Sequence, residues 1–200
     1  MNSKQIMESE EFKKCADFHG HICPGLVIGY KAAKAGMEAL NEQRSEDEGM
    51  AAVVETDACC SDAVQVLTGC TFGKGNFIYK DYGKIAFTFF GQKTGQGVRV
   101  AIKLGAMELG DEHRGLLQKV MSGSVTQEEQ KKFETLHLEK SCEILDRPIE
   151  ELFTITPTKE QMPSKARIEP SILCSNCGEP AMPSKMVIRK DRKLCRRCCI

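Results

Sequence analysis

No stretch of the 200-residue sequence approaches the roughly 18 uninterrupted apolar residues that a membrane-crossing helix requires. Net charge is missing too. Lys+Arg (28) and Asp+Glu (28) cancel, so the whole chain is no obvious binder of polyanions. The first residues, MNSKQIMESEEFKK, are polar throughout and lack the apolar centre of a secretory signal, which predicts a cytoplasmic protein with no membrane partner. Internal repeats are absent, and low complexity is confined to one connector. What is present is 41% hydrophobic and 28% charged, which fits a globular chain and excludes disorder. At this length the expectation is one domain, or one domain with a small appendage.

Eleven cysteines are the most informative count. An odd number without an export signal argues against a disulfide framework, and thiols in a reducing compartment are free to bind metal or react.

Charge divides the chain. Residues 172–200 hold seven basic residues against two acidic ones, a net +5, which leaves −5 on residues 1–171. The change follows a proline-punctuated stretch from Thr156-Pro157 through Met162-Pro163 to Glu169-Pro170. We therefore expect a core over 1–155, a linker over 156–171 and a small unit over 172–200. Residues 8–18 and the run after Pro24 read as helices, the latter with Leu26, Tyr30, Ala33, Met37 and Leu40 on one apolar face. AAVVET (51–56) reads as a buried strand, and Ser61 to Thr68 as a helix capped near its start by Ser61 or Asp62. NFIYK and KIAFTFF flank Asp81-Tyr82-Gly83 and predict a β-hairpin; GVRVAIK predicts another strand, and helices return at 111–121 and 126–145. Interleaved helices and strands with a hairpin favour an α+β class over a doubly wound parallel sheet.

Cys174-Ser-Asn-Cys177-Gly178 and Cys195-Arg-Arg-Cys198 are two Cys-x-x-Cys pairs, each a tight turn aiming two sulfurs at one point. Four thiolates suit tetrahedral Zn²⁺. A unit of about 29 residues is too small for an adequate core, so it needs a metal to fold. Saturated by four sulfurs, such a zinc is structural. Gly178 lets the chain reverse, Met186 to Lys193 can form a hairpin, and Cys199 has no required role. The surrounding basic residues admit nucleic acid as a partner, but zinc with four thiolates lowers the patch to about +3 and few aromatics interleave, so a solvated surface is favoured.

His19-Gly20-His21-Ile22-Cys23-Pro24-Gly25 packs two imidazoles and a thiol against a helix N-terminus, whose partial positive charge favours a thiolate. That donor set suits zinc, iron or nickel. Glu55-Thr56-Asp57-Ala58-Cys59-Cys60-Ser61-Asp62 lies where a strand gives way to a helix, a usual place for site residues. Gly69-Cys70-Thr71-Phe72-Gly73-Lys74-Gly75-Asn76 resembles a phosphate loop but fails: only three residues separate Gly69 from Gly73, and Gly75 stands where Ser or Thr should hold Mg²⁺. Cys59, Cys60 and Cys70 have small buried hydrophobes as their alternative reading.

These motifs, over about residues 12–105 and with the C-terminal cysteines, resemble the FmdE family, named for its association with formylmethanofuran dehydrogenase. The resemblance implies an α+β core with a metal-binding cleft, an appended treble-clef zinc finger and a homodimer. Cys60 looks like a local addition, which favours Cys59 as ligand. On this reading Cys23, Cys59 and one of His19 or His21 hold a second transition metal (Zn, Fe or Ni) with an open position, and the other histidine transfers protons. Asp62 and Lys74 orient ligands or anchor substrate, with a helix cap and a surface lysine as their alternatives. Cys70 is a ligand, a redox partner of Cys59 or a packed core residue, and Cys142 carries no assignment. Two functions stay open beside nucleic-acid regulation: a metal-dependent protein of anaerobic one-carbon or related redox metabolism, and a non-catalytic accessory subunit docking on larger molybdenum or tungsten redox-enzyme subunits.

Overall fold

The computed structural model describes residues 1–47, 49–165 and 167–199, so Ala166 of the expected linker and Ile200 of the expected finger lie outside the described residues. The chain forms two compact units, Met1–Lys165 and Ala166–Ile200.

The first unit is a five-stranded mixed sheet packed on helices. Its strands are β1 (Met50–Val54), β2 (Phe77–Tyr79), β3 (Ala86–Gly91), β4 (Gly97–Ile102) and β5 (Phe153–Pro157), in the order β2-β1-β3-β4-β5. β1 and β2 run parallel, and the other neighbours are antiparallel. The predicted hairpin of FIY with AFTFF is not formed: β1 lies between the two strands. β3 is buried at all six positions, so it belongs at the centre of the sheet, whereas Tyr79 of β2 is exposed. β3 instead makes its hairpin with β4. Because β5 pairs along β4 through Pro157 and Met162 packs on Ala51, Val53 and Phe90, the core unit runs beyond residue 155.

The helices are α1 (Ser3–Glu8), α2 (Glu10–His19), α3 (Pro24–Leu40), α4 (Cys60–Thr68), α5 (Asp111–Ser122), α6 (Gln127–Asp146) and α7 (Ile149–Leu152). α2 begins where the Ser9 side chain accepts from the Phe12 N–H, and ends on Gly20 with φ +91°. α3 is not the one-faced amphipathic helix its spacing predicted. It is buried from Leu26 to Ala33 without interruption, because α2, α4, α6 and the sheet surround it. Lys31, on that helix, is accommodated only because its ammonium donates to the Leu145 and Arg147 carbonyls at the end of α6. α4 crosses from β1 to the parallel β2, and it packs so closely on α3 that the N-terminal ends of both helices meet.

In the second unit, β6 (Ile172–Leu173) pairs with β7 (Pro180–Ala181) and β8 (Val187–Arg189) with β9 (Arg192–Leu194). Lys190 and Asp191 take left-handed φ values of +46° and +58° in the β8–β9 turn, the conformation that lets a two-residue loop match the strand twist.

Candidate metal centres

The core site forms where α2 ends and α3 and α4 begin. Cys23 is the N-cap of α3, with Pro24 in the first turn, and its sulfur accepts from the Leu26 N–H at 3.3 Å. His19, in the last turn of α2, directs Nε2 at the Cys23 sulfur, 3.7 Å away, and Nδ1 at Asp62 Oδ2, 2.8 Å away. The His21 ring lies 4.4 Å from that of His19, and donor atoms of His19, His21 and Cys23 all fall within 4.8 Å of one another. A thiolate and an imidazole sharing a tetrahedral ion at usual bond lengths lie about 3.6 Å apart, so the donor set fits a transition metal.

The structure separates the roles left open for Asp62. Cys59, not Ser61 or Asp62, occupies the N-cap of α4, and no side chain caps that helix. The Ser61 hydroxyl donates to the Thr56 carbonyl, leaving Asp62 to hold His19. A carboxylate on Nδ1 presents Nε2 to the ligand side.

Cys59 lies beside Cys23. A Cβ on Gly25 would meet the Cys59 Cβ at 3.1 Å and the sulfurs of Cys23 and Cys59 at 3.7 and 3.8 Å. It is half-buried and stands outside the tight His19, His21, Cys23 group. Burial pushes the Cys23 thiol up to about 11 despite the Leu26 N–H, and Cys59 adds to the rise. The helix N-terminus therefore does not keep a thiolate here unaided; a metal ion would have to displace the proton. Cys60 and Cys70 are buried, and desolvation raises both thiols, Cys60 to about 12. Lys74 is committed elsewhere: its ammonium donates to the Glu46 and Gly69 carbonyls, both at 3.0 Å.

His113 and His137, the remaining two of the chain's four histidines, escaped the sequence reading. They sit on α5 and α6, with His113 Nε2 and His137 Nδ1 2.8 Å apart and Phe133 packed on both rings. No local motif announces a contact 24 residues apart; the scarcity of histidine was the one usable signal. Burial, then the fields of His113 and His21, lower His137 from 6.5 to about 4. The unfolded chain thus takes its proton first, and the stability carried by the neutral pair is complete above about pH 6.5 and lost as pH falls toward 4. We expect the thermal midpoint to drop by several degrees between those values, and His137→Asn to flatten that part of the profile in calorimetry.

In the second unit, Cys174, Cys177, Cys195 and Cys198 bring all four sulfurs within 4.8 Å of one another, and Cys177 lies 3.9 Å from Cys195. Sulfurs on a tetrahedral zinc are about 3.8 Å apart. Gly178, with φ +72°, closes the first turn. Backbone N–H groups of Cys177, Cys195 and Asn176 lower Cys174 to about 6, so one thiolate is ready near neutral pH. The Glu179 N–H favours a thiolate at Cys177, but desolvation and hydrogen bonds with the neighbouring thiols push that group up to about 12. A cation supplies what this cluster needs to ionise fully.

An α+β core with a His/Cys cluster at converging helix ends, and a four-cysteine unit behind it, defines the protein class. Residues 18–154 match the family described as "FmdE, Molybdenum formylmethanofuran dehydrogenase operon", and the chain belongs to that family. It is similar to a solved FmdE-like protein of tungsten formylmethanofuran dehydrogenase type from Syntrophus aciditrophicus, at 25% identity and a TM-score of 0.60, covering 98% of this chain and 91% of that one. It is also 34% identical over 194 residues to a "Probable S-adenosyl-L-methionine-binding protein" of Archaeoglobus fulgidus, covering 92% of this chain and 51% of that protein. The chain thus spans about half the length of this curated relative. Among the described residues, no helix is long and apolar enough to cross a membrane.

Proposed function

We propose that this chain is a metal-dependent member of its family that binds one transition-metal ion (zinc, iron or nickel) through His19, His21 and Cys23, in anaerobic one-carbon or related redox metabolism. The observation that carries the reading is the line Asp62–His19–Cys23, a carboxylate fixing an imidazole whose other nitrogen faces a thiol. Three protein donors leave a tetrahedral ion a fourth position, and such an ion acts as a Lewis acid toward a carbonyl placed there. Asp62 sets the orientation and basicity of His19. His21 is exposed, so it stands at the solvent side of the site as a ligand or as the group that exchanges protons. Cys59 lines the approach next to Cys23. In the C-terminal unit the four cysteines hold a structural zinc and leave no position for substrate.

A second reading, an accessory subunit serving a larger molybdenum or tungsten enzyme, draws support from the family's description. A homodimer is compatible with either. The S-adenosylmethionine binding named for the Archaeoglobus relative belongs to a protein about twice as long and is not assigned to this chain.

Elemental analysis of anaerobically purified full-length protein tests the first reading, with the finger serving as internal standard. Two metals per chain are expected in the wild type and one in Cys23→Ser. Asp62→Asn should keep both sites but weaken the core ion about 10–100-fold. One metal in both wild type and Cys23→Ser, unchanged after reconstitution, would remove the metal-dependent reading; co-purification with a larger redox subunit would then support the accessory one.

A further inference from the structure

The loop Gly69–Asn76, rejected as a phosphate loop, has an internal design that neither metal site explains. Every polar side chain in it is spent on holding its shape. Thr71 Oγ1 accepts from the Lys74 N–H, Asn76 Oδ1 accepts from the Thr71 N–H, Asn76 Nδ2 donates to the Met50 carbonyl, and Lys74 Nζ binds the Glu46 and Gly69 carbonyls. The residue so presented is Phe72, 80% exposed. A fixed loop that holds a phenylalanine in water keeps an apolar ring available at little further entropic cost.

Phe72 forms one wall of an open groove of about 790 Å³ between α2 and α4, a volume typical of small-ligand sites. Phe18, 59% exposed, stands on the same groove, with Val66 and Leu67 from α4. Three charged residues reach it. Glu11 is neutralised by Lys34 at 2.9 Å. Arg44 spends its Nε on the Val66 carbonyl at 3.0 Å, and Lys14 has a loose, exposed partner in Glu10 at 3.8 Å. Excess positive charge therefore lies beside two aromatic rings. The groove is continuous with the core site, since Phe18 precedes His19 and Gln65 and Val66 lie one helical turn beyond Asp62.

We propose that this groove binds a planar heteroaromatic compound carrying an anionic tail, with Phe72 and Phe18 as stacking surfaces and Arg44 and Lys14 as the anion's partners. The charge pattern selects this occupant: a purely apolar partner would leave both cations unused, and an inorganic anion would leave both rings unused. The inference is independent of the core metal, because neither Phe72 nor Arg44 belongs to that cluster.

Fluorescence anisotropy of flavin mononucleotide, with riboflavin as its uncharged counterpart, tests it on the full-length protein with and without bound metal. Saturable binding of the mononucleotide is expected, weakened about tenfold by Phe72→Ala. Arg44→Gln should weaken the mononucleotide several-fold and leave riboflavin unchanged. No anisotropy rise up to millimolar protein, or equal binding by Phe72→Ala, would overturn the proposal. So would a dimer that falls to monomer on Phe72→Ala in sedimentation velocity, which would assign the groove to a second copy of the chain. Loss of core metal with binding intact would sink the metal reading alone.

Discussion

Stripping metal from the C-terminal unit, by chelation or by Cys195→Ser, is expected to unfold residues 167–199 as a block while the core stays folded. Among the described residues of that unit, Cys174 is the only one that is buried. Its two-stranded ladders are two and three residue pairs long, and Leu173 and Ile188 point to solvent with 68% and 69% exposure. Apolar burial is therefore nearly absent, and about 33 ordered residues each cost on the order of 1.5 kcal/mol in conformational entropy. Ion binding of about 10–16 kcal/mol, as in zinc-finger peptides, must combine with backbone hydrogen bonding to hold such a unit together. Trypsin reads the outcome directly, because Arg189, Lys190, Arg192, Lys193, Arg196 and Arg197 cluster here. Cleavage at these sites should accelerate at least about a hundredfold on metal removal. The core should report no change through Tyr30, which is 4% exposed and packed edge-on against Phe12 in a chain without tryptophan. Unaltered trypsin kinetics in Cys195→Ser would mean that the metal is not what folds the unit.

What could be read from the sequence followed from how locally each feature is encoded. Cys-x-x-Cys turns and His19-x-His21-x-Cys23 place their donors within five residues, so backbone geometry alone brings them together, and both clusters form. Asp62 was a candidate, but whether it capped α4 or held His19 depended on where that helix starts, and a start at Cys60 freed the carboxylate. Lys74 carried chemistry in the sequence reading because a lysine among glycines suggests a ligand; only the fold shows that two carbonyls already occupy its ammonium. The β-hairpin failed for a related reason. The turn at Gly83 is real, with φ +62°, yet strand order is decided by which strand must be buried on both faces, and β3 with three phenylalanines takes the centre beside β1. The His113–His137 contact and the continuous burial of α3 are tertiary facts with no periodic trace.

Gly29→Ala should destabilise the core most among single-methyl changes, and it should damage the metal site with it. A Cβ at Gly29 would lie 2.0 Å from the Cys60 carbonyl oxygen and 2.7 Å from its carbonyl carbon and Cα. All three are backbone atoms at the first turn of α4, so no rotamer change relieves the overlap, and α3 and α4 must separate. Overpacking of this kind costs about 3 kcal/mol or more, or roughly 6–12 °C in thermal midpoint for a chain of this size. Separation would also move Cys59 and Asp62, on α4, away from Cys23, on α3. Core-metal affinity should therefore fall while the finger's metal remains, giving about one ion per chain by elemental analysis. Gly115→Ala supplies the contrast: it lies within α5, a Cβ there meets nothing within 4 Å, and the helix should gain about 0.5–1 kcal/mol. If Gly29→Ala melted no lower than the wild type, close contact between the two helices could not be what holds Cys59 and Asp62 beside Cys23. The converse result, a lowered midpoint together with loss of only the core ion, would tie the packing of α3 on α4 directly to the geometry of Asp62, His19 and Cys23.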